Sequence, residues 1–150
     1  MFPRNGTNVD STVLPRITVI FLDPALFRAV LHRGYMPFSK LGLSEKVLAA
    51  VTSAGYPTPT PIQEQAIPHV LAGRDVLGIA QTGNGKTAAF VLPMLTMLEK
   101  GRARARMPRT LILEPTRELA AQVEESFDKY GKNHKLNVAL IIGGVSFDDQ

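Results

Sequence analysis

The sequence predicts an α/β fold, a parallel sheet with helices on its flanks. Three observations carry that expectation. Short apolar runs of strand length recur at 75–80, 110–114 and 137–142. Longer segments with helical periodicity separate them, the pattern of parallel strands joined by right-handed crossovers. A glycine-rich turn stands between the first run and the helix after it. The 150 residues suit one domain, and 45% hydrophobic with 20% charged residues is a globular balance that excludes wholesale disorder.

Each element has its own local reason. Residues 1–35 show no sustained helical period and are punctuated by Pro3, Pro15, Pro24 and Gly34. They are set aside as an unassigned extension, or as a misassigned start ahead of Met36. Within them, Val19-Ile20-Phe21-Leu22-Asp23 mimics a strand ending in an acid, as in a Walker B element. It lies upstream of the glycine-rich turn, so no role is assigned to it.

Order signals begin near Phe38. Ser44 is an N-cap, and Leu43 with Leu48 forms a hydrophobic staple. Val47, Leu48, Val51 and Ala54 then share one face, and Gly55 supplies a stop, so 44–54 reads as a helix. Pro57, Pro59 and Pro61 force an extended stretch. Thr60 caps a second helix with Pro61 at its first position, and Pro68 is expected to break or restart it before Gly73.

The run 75–80 is the first strand and Gln81–Gly85 the turn. Lys86–Leu98 is a helix expected to kink at Pro93. Residues 100–109 form a basic loop without an acid, read as a solvated loop in preference to a nucleic-acid contact. The run 110–114 is the second strand. An amphipathic helix follows from Arg117 to Lys129, with Leu119, Val123 and Phe127 on one side. The run 137–142 is the third strand, closed by Gly143-Gly144.

Composition excludes several classes. Cysteine is absent, so disulfide pairing, thiolate metal sites and cysteine nucleophiles are out. No run approaches the ~18 apolar residues of a membrane span. The expected location is cytoplasmic, with no membrane partner. Seventeen basic against thirteen acidic residues give a charge of +4. It divides equally between 1–37 and 38–150, so it says little about nucleic acid.

Ala80-Gln81-Thr82-Gly83-Asn84-Gly85-Lys86-Thr87 fits the phosphate-loop spacing, with alanine for the first glycine. Gly83 and Gly85 let the backbone turn tightly, so that successive N–H groups face phosphate oxygens. The following helix adds the positive end of its dipole. Lys86 reaches the outer phosphates and the Thr87 hydroxyl ligates Mg²⁺.

Four ordered segments give the class. GYPTPTPIQ at 55–63 resembles the Q motif of DEAD-box ATP-dependent RNA helicases, and AQTGNGKT at 80–87 their motif I. PTRELAAQ at 115–122 resembles motif Ia, and Gly143-Gly144 the GG element after it. Phe38, 17 residues before Gly55, sits where the family places an isolated aromatic. The resemblance covers about 36–150. It implies a RecA-like α/β domain, of which this chain is the first half, and ATP-dependent unwinding or remodelling of RNA.

The resemblance also assigns roles. Gln63 contacts the adenine edge, as a carboxamide donor–acceptor pair can, although Thr60-x-x-Gln63 is equally a capping box. Phe38 packs on the adenine face and Tyr56 supports the pocket; ordinary core packing is the alternative for both and the preferred reading for Tyr56. Pro115, Thr116 and Arg117 hold the RNA backbone at a helix start, independently of base sequence; Thr116 is a helix cap in either case, and Glu118 is favoured there by the dipole. Gly143 and Gly144 allow close approach of a nucleic-acid backbone, or simply close a turn.

Two departures stand out. Asn84 replaces the family's usual small residue, which bears on closure over phosphate. The sequence reaches Gln150 without an Asp-Glu-Ala-Asp motif, a Ser-Ala-Thr motif or a second RecA-like domain. Asp148 and Asp149 follow the third run too closely to stand in. The 150-residue chain is therefore expected to lack ATP turnover on its own. A non-catalytic ATP- or RNA-binding module and a non-functional fragment are the alternative readings, and the oligomeric state is left open.

Overall fold

The computed structural model describes residues 19–20, 36–100, 108–144 and 146. The chain runs β1 (Val19–Ile20), a 3₁₀ turn (Phe38–Lys40), α1 (Glu45–Ser53), α2 (Pro61–Leu71), β2 (Val76–Leu77), α3 (Lys86–Leu98) and α4 (Arg117–Gly131). Most of the basic loop, Asp23, Asp148 and Asp149 lie outside the described residues.

α3 is the axis of the molecule. Its sequence is apolar all round, which suits a helix covered on every side. Ala88 through Thr96 are all buried. α2 and α4 pack along it, and α1 joins the same core through Val47 and Val51. The one hydroxyl in that buried stretch, Thr96 Oγ1, donates to Leu92 O at 3.2 Å and accepts from Ser44 N at 3.2 Å. It thus satisfies itself while tying the start of α1 to α3.

The helix signals read locally. Ser44 accepts from Val47 N at 3.3 Å, and Leu43 is buried with Leu48 packed on the same core, as the staple requires. Thr60 and Gln63 form a capping box with Pro61 at the first helical position. Thr116 caps α4 by accepting from Leu119 N at 3.3 Å.

The break expected at Pro68 does not occur. α2 continues through Pro68 and α3 through Pro93. Each proline removes one backbone hydrogen bond and strains the preceding turn. Pro68 lies on the solvent side of α2, where a freed carbonyl meets water, while Ile67 and Val70 beside it are fully buried. Pro93 is itself buried between Leu92 and Met94, so packing holds α3 together across it.

The sheet also differs from expectation. Strand pairing at 75–80 shortens to Val76–Leu77, and neither 110–114 nor 137–142 forms a ladder. Parallel strands are stable when neighbours flank them and helices cover both faces. Here Ile112 and Leu136 pack inward while Leu111, Leu113 and Ile141 face solvent. These segments keep one covered face and no partner strand among the described residues. The partner of β2 comes from the upstream extension: β1 pairs with it in parallel, Val19 with Val76 and Ile20 with Leu77.

Candidate nucleotide and nucleic-acid site

The turn after β2 forms as a loop between a strand and the start of α3. Gln81, Thr82 and Gly83 make its exposed crest, and Asn84 through Thr87 are half-buried. Gly83 and Gly85 have φ of +85° and +77°, the left-handed region that glycine enters without strain. Asn84 N donates to Gln81 O at 3.3 Å, closing the crest as a turn. Asn84 is thus accommodated in the backbone path.

Lys86 Nζ donates to Ala80 O at 2.6 Å. Ala80 opens the loop and Lys86 begins the helix, so this bond joins the loop's two ends and fixes where the ammonium lies. Thr87 follows in the first turn of α3.

α2 holds the loop from behind. Thr60 Oγ1 donates to Asn84 O at 2.9 Å, and Gln63 Nε2 donates to Gly85 O at 3.1 Å. Gln63 Oε1 accepts from Thr60 N at 3.0 Å. With the Asn84 and Gly85 carbonyls turned toward α2, planar trans peptides aim the N–H groups of Gly85 and Lys86 away from it. A helix start with N–H groups so directed, beside an ammonium, is the chemistry of an anion site.

Gln63 is only 6% exposed, and its carboxamide is engaged at both ends. The capping box is therefore present, joined to a loop contact that the spacing of Thr60 and Gln63 did not signal. Thr60, read from sequence as a cap alone, is a loop anchor as well. Phe38 lies in the core at 7% exposure beside Leu41 and Leu43. Tyr56 is exposed and contacts α4: its ring centroid lies 6.4 Å from that of Tyr130, and its hydroxyl accepts from Lys129 Nζ at 3.4 Å. The core packing expected for Tyr56 is replaced by this surface contact.

The second set of candidates comes together at the start of α4. Pro115, Thr116 and Arg117 are exposed, as are Gly143 and Gly144. Gly144 has φ +79°, and a Cβ on it would lie 2.6 Å from Arg117 Nη2. Two segments 27 residues apart thus meet, with the guanidinium laid against the glycine backbone. The Glu118 carboxyl sits below the usual carboxylate range, held first by its own backbone N–H, then by the Thr116 hydroxyl and the Arg117 charge. This corner presents a cation and N–H groups at an exposed helix start, with one carboxylate beside them.

The basic loop contributes differently. Arg109 Nη1 donates to Leu98 O at 2.7 Å and Nη2 to Lys100 O at 2.8 Å. This guanidinium caps the carboxyl end of α3, where a cation is favoured.

No group of three or more His, Asp or Glu suited to a metal occurs among the described residues. The chain's own fit to Mg²⁺ is the Thr87 hydroxyl, which suits an ion that takes most of its ligands from phosphate oxygens and water. Among the described residues no helix is long and apolar enough to cross a membrane.

Comparison with known proteins gives the family. The sequence profile described as DEAD/DEAH box helicase matches residues 60–150. ATP-dependent RNA helicase DeaD of Klebsiella pneumoniae is 49% identical over 114 residues, 75% of this chain and 17% of that protein. DeaD of Escherichia coli strain K12 is 48% identical over 114 residues, 75% of this chain and 18% of that protein. The chain thus spans less than a fifth of these relatives. The crystal structure of the RNA-helicase Prp28 from Chaetomium thermophilum bound to ADP superposes with a TM-score of 0.71 at 41% identity, covering 79% of this chain and 30% of that one. A DEAD box protein from Methanococcus jannaschii gives 0.66 at 34% identity, with 77% and 31% covered. The fold class is that of these RecA-like helicase domains, represented here in part. With the profile matching more than half its length, and sequence and fold in agreement, the chain belongs to the DEAD/DEAH box helicase family.

Proposed function

We propose that this chain is the nucleotide-binding portion of an ATP-dependent RNA helicase. The observation that carries the reading is the phosphate loop, tied to α2 by Thr60 and Gln63 and closed by Lys86 on Ala80 O. Residues Ala80, Gln81, Thr82, Gly83, Asn84 and Gly85 wrap the β- and γ-phosphates of ATP. Lys86 turns its ammonium from the Ala80 carbonyl onto phosphate oxygen, and Thr87 holds Mg²⁺. Gln63 keeps its loop contact and offers its second N–H and second lone pair to the adenine edge. Phe38 backs the base from the core side, and Tyr56 supports that wall.

Pro115, Thr116 and Arg117, with Gly143 and Gly144, take the RNA backbone. The juxtaposition of Arg117 and Gly144 supports this role. Contacts of that kind go to phosphate and sugar, so binding is independent of base sequence and weakens with salt. Mg²⁺, if held by the Thr87 hydroxyl, would supply neutralisation of phosphate charge; this chain's own residues bind, orient and position. In this reading the carboxylates that orient the attacking water are not among the described site residues, and this portion contributes binding and positioning.

Titration with a fluorescent ATP analogue tests the reading. The chain should bind it saturably with Mg²⁺, and Lys86→Ala should weaken binding by roughly a hundredfold, about the loss of one charge-assisted phosphate contact. Equal binding by Lys86→Ala sinks the assignment. RNA-stimulated phosphate release by the 150-residue chain would sink the division of labour.

A further inference from the structure

The run Ile17–Leu22 has no part in that function, yet it contains the strand that pairs with β2. β2 leads into the phosphate loop: Ala80, whose carbonyl holds Lys86, comes three residues after Leu77. Among the described residues the ladder of β2 is with β1 and with no other strand. We propose that β1, Val19–Ile20, is a positioning element of the nucleotide site, pairing with β2 to fix the strand that carries the loop and so raising affinity for nucleotide phosphate. Its last step rests on the phosphate-loop reading above; the pairing step does not.

The sequence suits the task. Ile17-Thr18-Val19-Ile20-Phe21-Leu22 is an unbroken run of β-branched, aromatic and apolar residues, the composition of a parallel strand. A strand with no ladder has no fixed register. Movement of β2 would carry the Ala80 carbonyl with it, and Lys86 would follow. Nucleotide affinity falls by the fraction of time the loop is out of place. The coupling is reciprocal, so bound nucleotide should in turn protect the β1–β2 ladder.

The test compares Val19→Pro/Ile20→Pro with Val19→Thr/Ile20→Thr in the full chain. Proline removes the backbone donors, whereas threonine keeps them and remains a good strand former. Hydrogen exchange at Val76 and Leu77 should accelerate by roughly tenfold or more in the proline variant and stay near the unsubstituted rate in the threonine variant. Affinity for the ATP analogue should fall several-fold with the prolines alone. The absence of cysteine permits a second measurement that does not depend on destabilising anything. Val19→Cys/Val76→Cys places two thiols at registered positions and should form a disulfide on mild oxidation, while Val19→Cys/Leu111→Cys should not.

Unchanged exchange in the proline variant, or crosslinking no faster than the control pair, overturns the pairing. Lost protection with unchanged affinity overturns the link to nucleotide. If the unsubstituted chain binds no nucleotide while exchange and crosslinking behave as expected, the phosphate-loop reading fails and the strand pairing stands.

Discussion

Gly85 combines two constraints that are separable by mutation. Its φ of +77° strains any other residue, and a Cβ there would run into the Gln63 carboxamide. Gly83 has a similar φ of +85° but meets nothing within 4 Å. Gly83→Ala should therefore cost about 1 kcal/mol, the left-handed penalty alone. Gly85→Ala should cost about 2–4 kcal/mol, the same penalty plus displacement of a buried, doubly bonded side chain. Adding Gln63→Ala to Gly85→Ala should recover part of the excess, and denaturant unfolding of the cycle measures it. Equal costs at the two glycines would show that Gln63 yields freely. The glycines themselves were legible from the loop spacing, and the capping box from Thr60-x-x-Gln63. The bond from Gln63 to Gly85, 22 residues away, was not. Spacing rules speak of neighbours three or four apart, and that contact exists only once α2 has packed on α3. The meeting of Arg117 with Gly144 was hidden for the same reason.

Helices were legible as elements because their signals are local. Caps, staple and the Val123 and Phe127 face of α4 needed nothing outside the segment, whereas Leu119, expected on that face, is exposed and Tyr130 is buried instead. Pro68 does not break α2, because the cost of a proline is local while the burial that offsets it is tertiary. Strands fared worse for a related reason: an apolar run states a capacity to pair, and the partner decides whether a ladder forms. So 110–114 and 137–142 stay unpaired, and the run at 17–22, set aside by position, supplies β1. Where elements join, one polar node is exposed to test. Glu99 at the end of α3 accepts from the Ser44 hydroxyl at the start of α1 and contacts His134 Nε2, beyond α4, at 2.7 Å. The His134 side chain is 3% exposed. Burial alone would raise the Glu99 carboxyl, but the Ser44 and His134 hydrogen bonds and the charges of His134 and Lys46 bring it below its ordinary 4.5. A carboxyl lowered in the folded state stabilises above its unfolded pKa, and that stability is lost as pH falls through the folded value. Melting temperature should drop on acidification below about pH 4.5, and Glu99→Gln should both lower stability at pH 7 by about 1–2 kcal/mol and flatten that acid limb. An identical acid limb in the variant would remove Glu99 from the account.

On the scale of the whole molecule, the core lies to one side of the segments that were expected to be strands. Leu111, Leu113 and Ile141 are 79, 82 and 73% exposed, and Leu77 on β2 is exposed as well. Ile112, between the two exposed leucines, packs on the core. This alternation is that of a strand with one face covered, and the outer face has no cover among the described residues. Large apolar side chains in an unpaired extended segment are the usual seed of association between copies, because both the side chains and the backbone groups seek partners. The isolated 150-residue chain should therefore self-associate with rising concentration, through this face and not through the phosphate loop. Leu111→Lys/Leu113→Lys should suppress the association, since inserted charge on an exposed edge opposes pairing. The same pair should change unfolding free energy by no more than about 0.5 kcal/mol, because each leucine contributes little buried area. It should also leave binding of the ATP analogue intact. Sedimentation velocity across a concentration series decides it: a chain that remains monomeric throughout, or a lysine pair that associates as the parent does, would remove this face from any role in self-assembly.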